Sequence, residues 1–211
     1  MSHAPADIEV MIDKRRCHRR CLEEKIPVPP QLNHVTSFDD LLEKMNASGF
    51  HRVFVKLANG SSASGVLALE TNGPHIQAHS SVELIRSCRE ISLYNSLKIR
   101  RYRTPEEIAA IVNALCREGV HVERWIPKAG WQGRRCDMRV VTIGGEAQHA
   151  VLRLSKSPMT NLHLGNRRGD LREFLAHLGE ERWAEMTAIC RRAAALFSTS
   201  VHTGLDLLFS P

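Results

Sequence analysis

The sequence predicts an α+β fold, because helix and strand patterns of different lengths succeed one another along its 211 residues without an internal repeat. The clearest strand pattern covers residues 53–57, where three aliphatic residues alternate with Phe54 and Lys56. The clearest helix start is Thr104-Pro-Glu-Glu107, with proline at the first helical position and glutamate at the third, and Gly119 ends that helix. A third pattern, two apolar runs joined by Gly144-Gly145, predicts a hairpin.

The segment before the clear strand is expected to be helical. One helix is predicted from about Ile8 to Leu22, ahead of a proline-rich turn at residues 26–30. Ser37-Phe-Asp-Asp40 has the form of a capping box and predicts a short second helix that ends near Asn46. Strands with clear or weak patterns then follow at 52–57, 66–70, 75–79 and 91–99.

The segment after the clear helix returns to strands. A loop is expected at residues 155–170, where polar residues and glycines are frequent, and a helix from Glu180 to about Ser200. The predicted strands of this half are 120–126, 138–143, 147–154 and 204–209. The order of elements indicates three parts: an N-terminal helical part (1–47), a small inserted subdomain (48–122) and a larger C-terminal subdomain (123–211).

Composition excludes several classes of protein. The apolar content of 43% and the charged content of 25% are typical of soluble globular proteins, and no run approaches the ~20 apolar residues of a membrane helix. The N-terminus lacks the basic and apolar regions of a signal peptide. Six cysteines are scattered without a CxxC pair, and Cys17 and Cys21, one helical turn apart, make a poor zinc site without further ligands. We therefore expect reduced thiols and a cytoplasmic location.

The net charge of +6 is compatible with nucleic acids, with ATP and with acidic substrates. Basic runs occur at residues 14–20 and 100–103. The aromatic content is only 5%, and no aromatic residues are interleaved with these cations to stack on bases. The sequence therefore does not favour nucleic-acid binding, and solvated helix faces account for most of the basic residues.

The segment between the first two predicted strands, Asn59 to Gly65, is rich in glycine and serine. Such a loop can expose backbone N–H groups to a polyphosphate, with Lys56 adding a charge from the adjoining strand. It can equally be the polar tip of an ordinary hairpin. The segment alone does not decide between the two.

A series of short motifs resembles the ATP-grasp superfamily when it is taken in order. The pattern is similar to that of the ribosomal-protein glutamate ligases and the D-alanine–D-alanine ligases, and it extends from about residue 10 to the end of the chain. The motifs are Asp13-Lys14, Lys56, Glu123-Arg-Trp125, Asp137-Met-Arg139, Gly144-Gly145, Arg153, Asn161-Leu-His163, Gly165 and Asp206.

The resemblance implies an ATP-grasp fold, in which two α+β subdomains grip a nucleotide, and an ATP-dependent carboxylate–amine or carboxylate–thiol ligase acting through an acyl phosphate. Its partners would be ATP, a small carboxylate and an amine or thiol acceptor. It implies that Arg153 meets the γ-phosphate, that Asn161 and His163 shape the acceptor side, and that Asp206 holds Mg²⁺. The residues that it assigns to ATP are Lys14, Lys56, Gly60, Ser61, Ser62, Gly65, Glu123, Trp125 and Ile126.

The sequence also departs from that pattern. The helix with Lys14 comes almost at the start, and the chain ends soon after Asp206, before the E-x-N motif that completes a magnesium site in the family. Met159 and Asn166 replace an arginine and a glycine of the glutamate ligases. We therefore expect either a fragment of a ligase, in which exposed apolar residues near the end favour a homodimer, or a non-catalytic nucleotide-binding or interaction protein on the same fold.

Overall fold

The structure is a computed structural model that describes residues 4–86 and 91–210. The helices are α1 (Pro5–Ile12), α2 (Lys14–Glu23), α3 (Phe38–Ala47), α4 (Pro105–Glu118), α5 (Leu171–Leu178) and α6 (Glu180–Ala195). The strands are β1 (Gln31–Leu32), β2 (Arg52–Leu57), β3 (Val66–Asn72), β4 (His75–Arg86), β5 (Ile91–Tyr102), β6 (Val120–Arg124), β7 (Gly130–Trp131), β8 (Arg134–Ile143), β9 (Glu146–Ser155), β10 (Arg167–Arg168) and β11 (His202–Leu208).

The described residues divide into two compact units. The central unit is Pro29–Ile126, and the terminal unit combines the residues up to Val28 with those from Pro127 onward. This division places residues 29–47 with the central segment, whereas the sequence-based scheme groups them with the first helix. None of the helices in residues 4–86 and 91–210 has the length and apolar character needed to cross a bilayer.

The central unit is an antiparallel sheet of six strands in the order β1-β6-β2-β3-β4-β5, with α3 and α4 packed against it. Strand β2 follows the predicted alternation: Val53 and Val55 are fully buried in the core beside the helices. Because successive side chains of a strand point to opposite faces, Phe54 and Lys56 lie on the other face of the sheet. That helix-free face carries the candidate residues of this unit.

The terminal unit is built around a second antiparallel sheet in the order β10-β9-β8-β11, with β7 paired to β8. Helices α5 and α6 cover one face, where Met138 and Leu152 are buried. The alternating positions of the same strands, Asp137 and Arg153, are directly opposite each other and lie on the face without helices. The predicted hairpin is confirmed, and Gly144-Gly145 turns it with φ of +59° and +86°, as a two-residue hairpin requires.

The first predicted helix is wrong in one respect: it is two helices, which are separated at Asp13. Asp13 has extended backbone angles, and its carboxylate accepts hydrogen bonds from the amides of Arg15 and Arg16 at 2.9 and 3.4 Å. An aspartate that satisfies the first free amides of a new helix favours a cap over a continuous helix. The apolar spacing of this segment did not show that competition.

Other boundaries are close to expectation. Ser37 caps α3 by accepting from the amide of Asp40 at 3.1 Å, and β2 covers residues 52–57. The weak patterns at 75–79 and 91–99 are parts of two twelve-residue strands, β4 and β5. Helix α5 was not predicted, although Asp170 caps it through the amide of Glu173 at 3.0 Å.

Candidate functional site

Lys56, Glu123 and His121 form a charged cluster on the helix-free face of the central sheet. Strands β2 and β6 are neighbours, with Lys56 opposite His121 and Phe54 opposite Glu123. The Lys56 ammonium donates to Glu123 Oε1, and His121 Nε2 lies 3.2 Å from Glu123 Oε2. The antiparallel register thus brings together two residues that the sequence assigns to ATP, Lys56 and Glu123, although 67 positions separate them.

The carboxylate of Glu123 is ionised despite its burial. Removal from water by itself raises the pKa of Glu123, but the charge of Lys56 and the contact with His121 outweigh it and hold the pKa at about 2, against an ordinary value of 4.5. Only 15% of the Glu123 side chain is exposed. Glu123 is therefore a fixed acceptor that holds the Lys56 ammonium on the sheet. The sequence analysis did not identify His121. The available signal was that His121 and Glu123 are two positions apart on one predicted strand and therefore lie on the same face.

Trp125 and Ile126 follow β6. The Trp125 ring is buried against Phe54, with ring centroids 5.4 Å apart, and the guanidinium of Arg52 lies 5.6 Å from the Trp125 ring centre. The Trp125 amide donates to the Arg52 carbonyl at 3.0 Å. The indole of Trp125 therefore packs on the same sheet face as Lys56, and its amide extends the hydrogen-bonding of the sheet. Ile126 is half-buried beside it.

The loop between β2 and β3 has its shape fixed from inside the central unit. Gly65 has φ of +59°, and a Cβ at this position would lie 2.6 Å from side-chain atoms of Leu57. The carbonyl of Gly65 accepts from the Leu57 amide at 3.2 Å, which closes the loop at its base. Packing therefore accounts for the glycine at 65, independently of any ligand.

The tip of that loop is exposed. Ser61 and Ser62 face solvent, and Ser62 and Ala63 both adopt left-handed backbone angles, with φ of +52° and +56°. Ser61 accepts from the Ser64 amide at 2.8 Å through its carbonyl, which forms a tight turn. A Cβ on Gly60 would lie 3.0 Å from the Ser64 carbonyl oxygen, so the backbone at Gly60 approaches that turn closely. Two left-handed residues in sequence are uncommon outside glycine and occur often at ligand-binding loops.

A second charged cluster lies on the helix-free face of the terminal sheet, around Arg153. Only 7% of the Arg153 side chain is exposed, and its Nε donates to Asp137 Oδ1 at 2.7 Å while its Nη2 lies 2.9 Å from Asp206 Oδ1. Arg139 meets the same Asp206 carboxylate through Nε at 2.5 Å and Nη2 at 2.8 Å. The pairing of β9, β8 and β11 therefore places Arg153 between two aspartates.

Lys128 and Thr160 complete this cluster, and sequence reasoning missed both. The Lys128 ammonium donates to Asp137 Oδ2 at 2.7 Å and to the Thr160 hydroxyl at 2.8 Å, and Thr160 donates to the same carboxylate oxygen. Burial lowers the pKa of Lys128, and the attraction of Asp137 only partly restores it. Neither the strand period nor a motif marks these two residues, because Lys128 and Thr160 both reach Asp137 from loops outside the strands.

The electrostatics of this terminal cluster favour anions. Three cations, Lys128, Arg139 and Arg153, face two carboxylates. Burial by itself raises the pKa of Asp137, but the hydrogen bond from Arg153 and the charge of Lys128 hold it below its ordinary value. The surplus cation and the forked guanidiniums suit a phosphoryl or carboxylate group at the exposed side of the cluster.

Asp206 is the residue assigned to magnesium. Its side chain is 46% exposed and carries two hard carboxylate oxygens, which fit Mg²⁺ as one ligand. Both oxygens are paired with Arg139, and Oδ1 also with Arg153, so a cation would have to displace guanidinium contacts. Among residues 4–86 and 91–210 there is no group of three or more His, Cys, Asp or Glu side chains arranged for a metal. Asp206 therefore fits a Mg²⁺ site as one ligand, and such a site would need further ligands.

His163 lies in a short 3-10 turn, Leu162–Leu164, and Asn161 is the residue that precedes it, directly after the cluster residue Thr160. The turn is held by Asn166, whose amide donates to the Met159 carbonyl at 2.7 Å and to the Asn161 carbonyl at 3.0 Å. Asn161 is half-buried and His163 is exposed. The two residues that depart from the glutamate-ligase pattern, Met159 and Asn166, are thus partners in shaping this turn.

Lys14 is the first residue of α2, directly after its cap Asp13. The hydrogen bond and the charge of Arg15 lower the pKa of Asp13 to about 2, so the cap is ionised at neutral pH. The cap explains the aspartate of the Asp13-Lys14 pair, since it starts a helix at the lysine. In the terminal unit Lys14 is therefore positioned by a local backbone motif, and Arg153 and Asp206 by strand pairing.

Comparisons with known proteins found structural similarity only. No family model and no curated protein matches the sequence. The D-cycloserine synthetase DcsG has a TM-score of 0.56 at 14% identity, over 96% of this chain and 59% of that chain. D-alanine–D-alanine ligase from Bacillus anthracis has a TM-score of 0.54 at 11% identity, over 97% and 54% of the respective chains. The ATP-grasp ligase PsnB, solved with a precursor variant, Mg and ADP, has a TM-score of 0.53 at 13% identity, over 99% and 49%.

The chain has the ATP-grasp fold. The predicted α+β class and the predicted ATP-grasp fold are both confirmed. This chain spans between 49% and 59% of the lengths of those three proteins. Within the ATP-grasp fold, the two charged clusters lie one on each sheet, at Lys56–Glu123 in the central unit and around Arg153 in the terminal unit.

Proposed function

We propose that this chain is the nucleotide-binding part of an ATP-dependent carboxylate–amine or carboxylate–thiol ligase. The observation that carries the proposal is that each sheet holds a preformed charged cluster, one with Lys56 paired to Glu123 and one around Arg153 with a surplus cation. Fixed cations suit a polyphosphate, because they are already oriented where the negative charge has to be stabilised. The fold is shared with the ligases compared above, which supports the reaction class.

The central unit would bind the nucleotide. Lys56, held by Glu123, would contact the phosphates, and Lys14 is a second cation that the resemblance assigns to them. Glu123 would accept from the ribose or the adenine, and the backbone around Trp125 and Ile126 would meet the adenine edge. The loop residues that would cover the phosphates, through backbone amides and the two exposed hydroxyls, are Gly60, Ser61, Ser62 and Gly65.

The terminal unit would serve phosphoryl transfer. Arg153 would contact the γ-phosphate and the acyl phosphate formed from the substrate carboxylate, since its guanidinium is permanently charged and forked. Asn161 and His163, on the turn after Thr160, would shape the acceptor side. Asp206 would be one ligand of Mg²⁺, which would supply neutralisation of the phosphate charge. Asp137 and Lys128 would hold the Arg153 guanidinium in its orientation.

A second candidate function is nucleotide binding without catalysis. The observation that favours it is the engagement of Asp206 by two guanidiniums, together with the lack of a metal-binding group in the described residues. The two functions differ in turnover and not in nucleotide binding.

The first experiment measures the unfolding temperature with ATP, with and without Mg²⁺. A ligand at about a hundred times its Kd stabilises the folded state by ~2.7 kcal/mol. We expect wild type to respond, Lys56→Ala to lose the response, and Lys98→Ala, which removes an exposed lysine of β5, to keep it. Equal responses of wild type and Lys56→Ala would contradict the assignment of the site.

The second experiment separates the two functions. Wild type and Arg153→Lys are incubated with ATP, Mg²⁺, pooled carboxylates and hydroxylamine, which traps an acyl phosphate as a hydroxamate. The ligase proposal predicts hydroxamate and ADP from wild type and a loss of about a hundredfold in Arg153→Lys, in line with removal of one preorganised donor. ATP binding without hydroxamate supports the non-catalytic alternative.

A further inference from the structure

Cys17 and Cys21 lie one turn apart on α2, outside both charged clusters. Residues four apart on a helix share a face, with Cβ atoms about 5–6 Å from each other. Both side chains are half-buried free thiols, and the two sulfurs are close enough to hydrogen-bond to each other. Helix α2 therefore carries a vicinal dithiol on a rigid backbone.

The contact between the two thiols favours a thiolate at Cys21. The hydrogen bond from Cys17 lowers the pKa of Cys21 to about 7, and the same bond raises the pKa of Cys17. The first seven residues of α2 include five cations and no acid: Lys14, Arg15, Arg16, Arg19 and Arg20. Near neutral pH a substantial fraction of Cys21 is therefore thiolate.

Geometry restricts what such a pair can bind. A disulfide needs Cβ atoms about 3.5–4.5 Å apart, which is shorter than the i, i+4 spacing of a helix. Zinc needs four ligands, and the described residues offer no cluster of three or more His, Cys, Asp or Glu. A soft monovalent ion with two thiolate ligands needs neither helix unwinding nor further protein ligands.

We propose that Cys17 and Cys21 form a two-thiolate site for a soft monovalent metal ion of the Cu(I) class. Binding forms two sulfur–metal bonds, consumes the Cys21 thiolate and releases the Cys17 proton to solvent, with no change in oxidation state. The site is independent of the proposed ligase function. It explains why two cysteines share one face of a helix whose other described positions are mostly charged.

The test is anaerobic competition for Cu(I) against a chromophoric Cu(I) chelator. We expect wild type to bind one Cu(I) ion. Cys17→Ser and Cys21→Ser should each bind Cu(I) about a hundredfold more weakly, because the second ligand of a chelate acts at a high effective concentration. Cys116→Ser is the matched control, since Cys116 is a half-buried thiol alone on α4, and it should bind as wild type does. Far-UV circular dichroism checks that each variant is folded.

A second probe tests the spacing of the thiols without copper. Phenylarsine oxide condenses with two neighbouring thiols to form two arsenic–sulfur bonds and one water, which mass spectrometry detects on the peptide that contains both cysteines. We expect this adduct in wild type and Cys116→Ser and not in Cys17→Ser. The proposal is overturned if folded Cys17→Ser and Cys21→Ser retain wild-type copper affinity, or if wild type does not bind Cu(I), whatever the result with the arsenical.

Discussion

Replacing Asp137 by asparagine tests how the terminal cluster is held together. Asp137 is 3% exposed and accepts from Arg153 Nε and Lys128 Nζ, both at 2.7 Å, and from the Thr160 hydroxyl. Asparagine keeps the shape but leaves Lys128 without the carboxylate it pairs with, and Arg153 with only the half-exposed Asp206. Breaking a buried ion pair by removing one partner costs about 3–5 kcal/mol, because the remaining charge stays desolvated. In a protein of about 150–250 residues, each kcal/mol of lost stability lowers Tm by about 2–4 °C, so the expected fall in Tm is about 10 °C.

Asp206→Asn is the matched control, because Asp206 also pairs with Arg153, at 2.9 Å, but its side chain is 46% exposed. Water screens that contact, and Asp137 still neutralises Arg153, so we expect a loss of about 1 kcal/mol or less. Urea unfolding followed by tryptophan fluorescence and circular dichroism measures both variants. Equal losses, or a loss below about 1 kcal/mol for Asp137→Asn, would refute the reasoning that burial sets the strength of these pairs.

Two further predictions concern the central unit. The depressed pKa of Glu123, about 2 against 4.5, gives stability that is complete above pH 4.5 and is lost as pH falls toward 2. Between pH 7 and pH 3, Glu123→Gln should therefore lose about 2 kcal/mol less stability than wild type, and parallel pH profiles would contradict this. Gly65→Ala should destabilise by more than about 1 kcal/mol in urea unfolding, since its Cβ would meet Leu57 at 2.6 Å, whereas Gly73→Ala, with similar φ but open space, should lose less. Equal losses at the two glycines would contradict the packing argument.

The predictions that rested on local sequence patterns mostly agree with the structure. The alternation in β2 placed Val53 and Val55 in the core and Lys56 on the opposite face, as the structure has them. Ser37 and Gly119 marked helix ends because caps act through the nearest backbone groups. The prediction of a single first helix was wrong because two local rules compete at Asp13: apolar spacing favours continuation and the carboxylate favours a new cap.

The candidate site depended on contacts that no local pattern contains. Strand pairing places Arg139 opposite Asp206, 67 positions further along the chain. Lys128 reaches Asp137 from a loop outside the strand, so neither period nor motif indicates it.

By itself, the sequence determined the α+β class, most of the elements and the motif order that resembles the ATP-grasp superfamily, because strand alternation, helix caps and motif spacing are properties of neighbouring residues. Only the tertiary structure decided which charges meet. Lys56 and Glu123 lie 67 positions apart, as do Arg139 and Asp206, and the register of two antiparallel sheets joins them. A shift of one residue in either register would turn these side chains to the other face of the sheet, so the long-range pairing of strands, and not the residues alone, forms the two charged clusters.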